Sequence, residues 1–272
     1  MDKCRIITIA NEKGGCGKTT TCRNLGTALT NAGERVLLVD LNHQANLSLS
    51  VGIDSPASLS NTIADIMNSV LDGIDIIDGF VINCAGVNII PSNKNLAITE
   101  ANLSVETGGE RILAEILSPL RAIYDYILID TGPTMGALTI NALAACDSVI
   151  IPVSPEYWSA TGFTDLTDTI SKIKRRINKN IRIEGILMTM CEAHTILYRE
   201  VREILEECVS DKIKIFDSII PRTTKVGRAN MRCVPIVEFE ANNPASVAYT
   251  NLAKEVVKYG RTSKNRTCPA SA

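Results

Sequence analysis

The stretch Asn11-Glu12-Lys13-Gly14-Gly15-Cys16-Gly17-Lys18-Thr19-Thr20 constrains this chain more than any other. It lies between an apolar, β-branched run, Arg5–Ala10, and an amphipathic run, Thr19–Ala32, that closes at Gly33. A strand, a glycine-rich turn and a helix in that order make a cradle for an anion. The glycines let successive backbone N–H groups curl around a phosphate, and the helix N-terminus adds the positive end of its dipole. Gly14, Gly15, Cys16, Gly17, Lys18, Thr19 and Thr20 are the expected nucleotide contacts. Lys18 is placed to reach the β- and γ-phosphates, and the Thr19 hydroxyl to ligate magnesium. The common spacing of such a loop puts a glycine five positions before Gly17, where this chain has Glu12. It also has a second lysine, Lys13, that a generic phosphate loop does not need.

The rest of the chain repeats the alternation of strand and helix. Arg35–Asp40, Val87–Pro91, Tyr126–Asp130, Ser148–Val153 and Ile183–Met188 read as buried strands. Helical patterns fall at Glu110–Leu117, Ala137–Ala145, Thr161–Ile177, Thr195–Val209 and Pro244–Tyr259. Continuously apolar strands separated by helices predict an α/β fold, a mostly parallel twisted sheet covered by helices on both faces. Residues 54–86 are the least legible and predict short helices and an irregular connection. No internal repeat or Pro/Gly/Ser-rich linker interrupts the pattern. The expectation is one domain over residues 1–260 and a short, basic, disordered tail over 261–272.

Composition narrows the setting. No apolar run approaches the ~18–20 residues that span a bilayer. The nine cysteines form no C-x-x-C pair, which points to a reducing compartment and away from a disulfide framework or zinc site. The net charge of −2 hides an asymmetry. From Lys212 onward there are eleven Lys or Arg against four Asp or Glu, so a basic end follows an acidic body. Such an end suits an anionic partner.

Several motifs in order carry a resemblance. Lys13 to Thr20, K-G-G-C-G-K-T-T, is similar to the deviant Walker A loop of the ParA/MinD ATPases, and the preceding Asn11-Glu12 resembles its ParA/Soj branch. Val36–Gly52 resembles that branch's second motif and Tyr124–Val153 its Walker B region. Ile219–Asn230 and Ala245–Val256 resemble its C-terminal end. The resemblance implies a P-loop NTPase fold and an ATP- and magnesium-dependent ATPase that forms a homodimer on ATP. Lys13 is then the signature lysine that crosses the dimer interface to the partner's nucleotide, neutralising charge as an arginine finger does. It implies that Asp130, with Asp40 and Thr19, surrounds the metal, and that Pro221 lies by the nucleotide. A proline is usual at the position of Gly132.

The second motif departs from the family. It reads Asp40-Leu41-Asn42-His43-Gln44, with an amide where the resemblance implies the water-contacting carboxylate. An ionised carboxylate only accepts hydrogen bonds and can polarise water, whereas an amide offers no useful basicity. The expected catalytic set is Lys13, Lys18, Asp40 and Asn42, with turnover impaired at Asn42. Cys16 reads as an ordinary loop position, and His194 as a surface or cap residue.

The ParA/Soj resemblance further implies non-specific DNA binding by the ATP dimer, stimulation by a ParB-like centromere-binding protein, and a cytoplasmic, nucleoid-associated location. Arg222, Lys225, Arg228, Arg232, Lys254 and Lys258 are the expected DNA contacts, addressing phosphates rather than bases. The final nine residues present no apolar face to a bilayer, which argues against membrane anchoring. The alternatives are a MinD-like positioning ATPase acting on a membrane or protein surface, and a non-hydrolysing, ATP-gated binding module.

Overall fold

The computed structural model describes residues 4–74, 79–84, 86–157, 160–209 and 213–265. The elements in order are β1 (Arg5–Ile9), α1 (Lys18–Asn31), β2 (Val36–Leu41), α2 (Asn46–Ser50), α3 (Ile63–Leu71), β3 (Ile82–Cys84), β4 (Val87–Ile90), α4 (Leu96–Val105) and α5 (Ile112–Leu117). Then follow β5 (Tyr126–Thr131), α6 (Ala137–Ala145), β6 (Ser148–Val153), α7 (Ala160–Arg176), β7 (Arg182–Met188), α8 (Ile196–Cys208), α9 (Thr224–Asn230), α10 (Ile236–Phe239) and α11 (Pro244–Asn265).

The seven described strands form one sheet in the order β3-β4-β2-β5-β1-β6-β7. All its pairings are parallel except β3–β4. Alternate residues of each strand feed two separate cores. Ile6, Leu37, Val39, Ile127, Ile129, Val149 and Ile151 face the layer that includes α3 to α8. Ile7, Ile9, Val36, Leu38, Leu128 and Ile150 face α1, α10 and α11. Both faces are dry, which is why the strands read as continuous apolar runs rather than alternating ones. Each fully buried Leu or Ile contributes ~1.5–3 kcal/mol relative to exposure.

The α1 helix packs directly on the sheet. A methyl group at Gly26 would come within 2.7 Å of the end of the buried Leu38 side chain, so a larger residue there would force that side chain to shift. From its other side α1 is held by α10 and α11. Asn24 Oδ1 accepts from the Ile236 N–H at 2.7 Å, and the Thr21 and Tyr249 hydroxyls meet at 3.4 Å.

The described part of residues 54–86 holds the expected short helices, among them α3, opened by a reciprocal capping box between Thr62 and Asp65, and adds the antiparallel edge strand β3. The expected helix at Glu110–Leu117 begins as a 3₁₀ turn over Gly109–Arg111. The last helix runs past Tyr259 to Asn265, entering the segment expected to be disordered. The remainder of that expected tail, 266–272, lies outside the described residues. No helix among the described residues is long and apolar enough to cross a membrane.

Candidate functional site

The parallel strands β1, β2 and β5 end on one rim, and the loop 11–17 leaves β1 there to enter α1. Gly15 and Gly17 have φ of 74° and 85°, the left-handed region that side chains disfavour. Gly17 is also the N-cap residue of α1. The buried Lys18 folds back across the loop, its Nζ donating to the carbonyls of Asn11 and Lys13 at 2.9 Å each. Asn11 braces the same turn, donating to the Pro152 carbonyl and accepting from the Lys13 N–H. The Lys13 backbone is thus a hub of the loop while its side chain is exposed. It makes no ion pair among the described residues.

Cys16 is turned inward. It is 1% exposed, its thiol donates to the Lys13 carbonyl, and burial pushes its pKa up. That chemistry opposes thiolate formation and agrees with the reading of an ordinary loop position. The Cys16 carbonyl accepts from the Thr189 hydroxyl at 2.8 Å, and a methyl group at Gly17 would rest against the same side chain.

Two carboxylates lie beneath the loop. Asp130 Oδ2 accepts from the Thr19 hydroxyl at 2.6 Å. Asp40 Oδ2 accepts from both the N–H and the hydroxyl of Ser48, and Ser48 Oγ in turn accepts from the Ser92 N–H. The other oxygen of each aspartate, Oδ1, is buried without a partner. Burial pushes Asp130 up to about 8, with the nearby Asp40 adding to the shift, and pushes Asp40 up to about 6. Two orphaned, buried acceptors beside a threonine hydroxyl are a hard-oxygen donor set, the kind that fits magnesium. Thr19, Asp40 and Asp130 therefore fit the group expected from the sequence.

Asn42 is buried next to this pair. Its Oδ1 accepts from the Gln44 N–H at 3.1 Å in a local turn, and its carbonyl accepts from the Ala45 N–H. A methyl group at Gly132 would lie 3.6 Å from the same Oδ1, so the turn after Asp130 closes over the amide. The amide's acceptor is committed to backbone. Pro221 forms a bridge with Cys191, two residues beyond Thr189, which follows the end of β7.

The six basic residues do not gather in one place. Arg222 and Lys225 are engaged in ion pairs with Glu156 and Glu240. Arg228 is exposed on α9, and Arg232 stacks its guanidinium 5.5 Å from the Phe239 ring centre. The end of this segment, at Asn230 and Cys233, borders Thr19 and Thr20. Lys254 and Lys258 instead line a groove with Asn31, Ala32 and Glu34, past the far end of α1. The two groups lie toward opposite ends of that 14-residue helix, which is about 20 Å long.

Sequence reasoning missed Ser48, which holds Asp40, and Thr189, which holds the loop from outside. Thr189 carries a weak signal, since it follows the C-terminal end of a parallel strand, where ligands of open α/β sheets gather. Ser48 has none, because its contact depends on how α2 returns to β2.

Residues 4–183 match the AAA_31 family, described as an AAA domain. The chain is similar to the sporulation initiation inhibitor protein Soj of Bacillus subtilis, at 38% identity over 94% of this chain and 99% of that protein. It is similar to the chromosome partitioning protein ParA of Caulobacter vibrioides, at 34% identity over 94% of this chain and 95% of that protein. Among solved structures it superposes on cobyrinic acid a,c-diamide synthase from Mycobacterium smegmatis with bound ATP analogue and magnesium. That match has a TM-score of 0.82 and 30% identity, covering 96% of this chain and 97% of that one.

Proposed function

The chain belongs to the family of Soj and ParA partition proteins, P-loop NTPases with an AAA_31 domain, and on that premise we propose that it is a DNA-partition ATPase that closes as a homodimer around ATP. ATP and Mg²⁺ are its cofactors, and they supply the transferable phosphoryl group and the charge that polarises it. The loop N–H groups and Lys18 hold the phosphates. Thr19 and Asp130, with Asp40 behind them, hold the metal.

The observation that carries the dimer reading is the different posture of the two lysines. Lys18 is buried and bonded to its own loop, whereas Lys13 keeps its backbone in the loop and its side chain in solvent. A cation held at the rim in this way suits the nucleotide of a second copy. The chain and its resemblance favour duplex DNA as the cargo surface and a ParB-like protein as the stimulating partner. The proposed location is the nucleoid, in the cytoplasm.

Asn42 favours a slow hydrolytic step. Its oxygen serves a backbone turn, and its amide nitrogen can only donate, so it removes no proton from an attacking water. The ATP dimer is then long-lived, which shades toward the second reading, an ATP-gated module that hardly turns over.

Random duplex DNA and anionic liposomes, each with and without a non-hydrolysable ATP analogue, test the reading. DNA binding that needs ATP and falls steeply with salt supports it. Binding to liposomes alone, or DNA binding indifferent to nucleotide, overturns it.

A further inference from the structure

Between α1 and α11, at the end away from the phosphate loop, runs a groove of about 600 Å³. It arises from a mismatch of helix lengths. The two helices run the same way, since Thr21 meets Tyr249 near their starts and Asn31 shares the groove with Lys258 further along. α1 has 14 residues, about 21 Å, and stops where Gly33 turns the chain at a φ of 91°. α11 has 22 residues, about 33 Å, and continues past that point. The residues along the seam are small: Ala28 and Ala32 from α1, and Ala253 from α11. No side chain of theirs is long enough to fill the gap.

The groove has two chemical sides. Its floor is apolar, made by the buried Ala28, Val237 and Ala253 and the half-buried Val257. Water on such a floor finds few hydrogen-bond partners, so an apolar body displaces it favourably. Lys254 and Lys258 stand exposed on the α11 wall, one helical turn apart. Lysine stems extend an apolar surface while their ammonium heads stay in water. Like charges at this spacing repel, and an anion between them relieves the repulsion. Lys254 makes no ion pair among the described residues. Glu34 lies on the α1 side and disfavours negative charge there.

We propose that this groove binds a small organic anion with an apolar body, a monocarboxylate whose hydrocarbon lies on the floor and whose carboxylate sits between Lys254 and Lys258. The volume falls in the range of small-molecule sites, ~300–1,000 Å³. Glu34 sets the direction of the ligand by repelling its carboxylate toward α11. A nucleic-acid backbone would address only the two ammonium heads and leave the apolar floor uncovered. An amphipathic anion uses both.

The groove shares no residue with the phosphate loop, and the proposal does not rest on the ATPase reading. Decanoate, kept below its micelle concentration, naphthoate and acetate are titrated by calorimetry into the full chain, with and without magnesium and a non-hydrolysable ATP analogue. The same titrations are made on the double variant Lys254→Gln/Lys258→Gln and on Ala32→Trp, which fills the groove from an exposed position. The expected result is that decanoate or naphthoate binds wild type one to one, equally with and without nucleotide, and at least tenfold more tightly than acetate. Both variants should bind that probe at least tenfold more weakly. Should Ala32→Trp fail to fold, the glutamine pair, at two exposed positions, decides alone. Four results overturn the proposal: neither apolar probe binds, acetate binds as tightly, a folded variant binds like wild type, or the nucleotide analogue abolishes binding.

Discussion

Asp40 and Asp130 stand in register at the ends of two adjacent parallel strands, both fully buried, each with one oxygen engaged and one without a partner. Neighbouring strands are ~4.8 Å apart, so two carboxylates here repel unless a proton or a cation lies between them. A metal held by Asp40 and Asp130 would supply the neutralising charge in place of a proton.

A pH dependence follows. Burial and mutual repulsion raise Asp130 to about 8 and burial raises Asp40 to about 6, against an unfolded value of ~3.9. The folded state therefore holds more protons than the unfolded one between these values. Stability of the metal-free protein falls as pH rises from about 4 to about 8. Melting temperatures in EDTA should decline across that range, and Asp130→Asn should flatten the decline. Magnesium should restore wild type at pH 8 and leave Asp130→Asn unmoved. Equal slopes for the two proteins would show that the pair carries no such charge.

The two lysines should separate binding from assembly. Lys18→Ala removes the proposed phosphate ligand and two bonds that shape the loop. Nucleotide affinity should fall by a factor of ten or more, measured with a fluorescent ATP analogue. Lys13→Ala leaves its backbone hub in place and should bind nucleotide within about threefold of wild type. It should remain a monomer in analytical ultracentrifugation with ATP, whereas wild type should dimerise. Dimerisation of both would refute a role for Lys13 in trans.

Asn42→Asp should raise phosphate release by ~10²–10³, the scale of a positioned general base. The carboxylate can accept from the Gln44 N–H as the amide does, so the turn survives the change. A rate unchanged within twofold would mean that Asn42 is not what limits turnover.

Thr189→Val should loosen the loop without touching a ligand. It removes the hydroxyl that reaches the Cys16 carbonyl and leaves that carbonyl buried. Removing a hydrogen bond of this kind costs ~1 kcal/mol, or about fivefold in nucleotide affinity. Thr189→Ser should restore it, and a failure of serine to do so would assign the effect to packing on Gly17.

The separation of the basic residues gives two distinguishable DNA variants. Arg228→Glu with Arg232→Glu lies at the nucleotide end and should abolish ATP-dependent retention on random duplex. Lys254→Glu with Lys258→Glu, at the far end of α1, should weaken binding equally with and without ATP. For every phosphate that a variant no longer neutralises, the log–log salt slope should fall by ~0.9. Identical behaviour of the two pairs would exclude a surface organised around the nucleotide.

The sheet and the phosphate loop are legible in the sequence because each rests on local chemistry. Ile7 and Ile9 look apolar for the same reason Ile6 does, namely that helices cover both faces, and a glycine at the head of α1 is demanded by a positive φ. The helices α4, α9 and α10 are not legible, being short or weakly patterned and stabilised by what they pack against. Among them α10 is held by the Asn24 side chain, 212 residues away in sequence. Such a contact leaves no periodic trace.

What the sequence determined by itself was the kind of site: a strand, a glycine turn and a helix admit a phosphate, a second lysine adds a cation, and an amide stands at Asn42 where the resemblance implies a carboxylate. The tertiary structure decided how those groups are charged and occupied. It set Asp40 against Asp130 in a dry layer, tied Asp40 to Ser48, turned Lys18 inward and left Lys13 outside. It also divided one set of basic residues between two ends of a helix. The physical reason is that charge acts through distance and dielectric, and both are fixed only when distant segments pack.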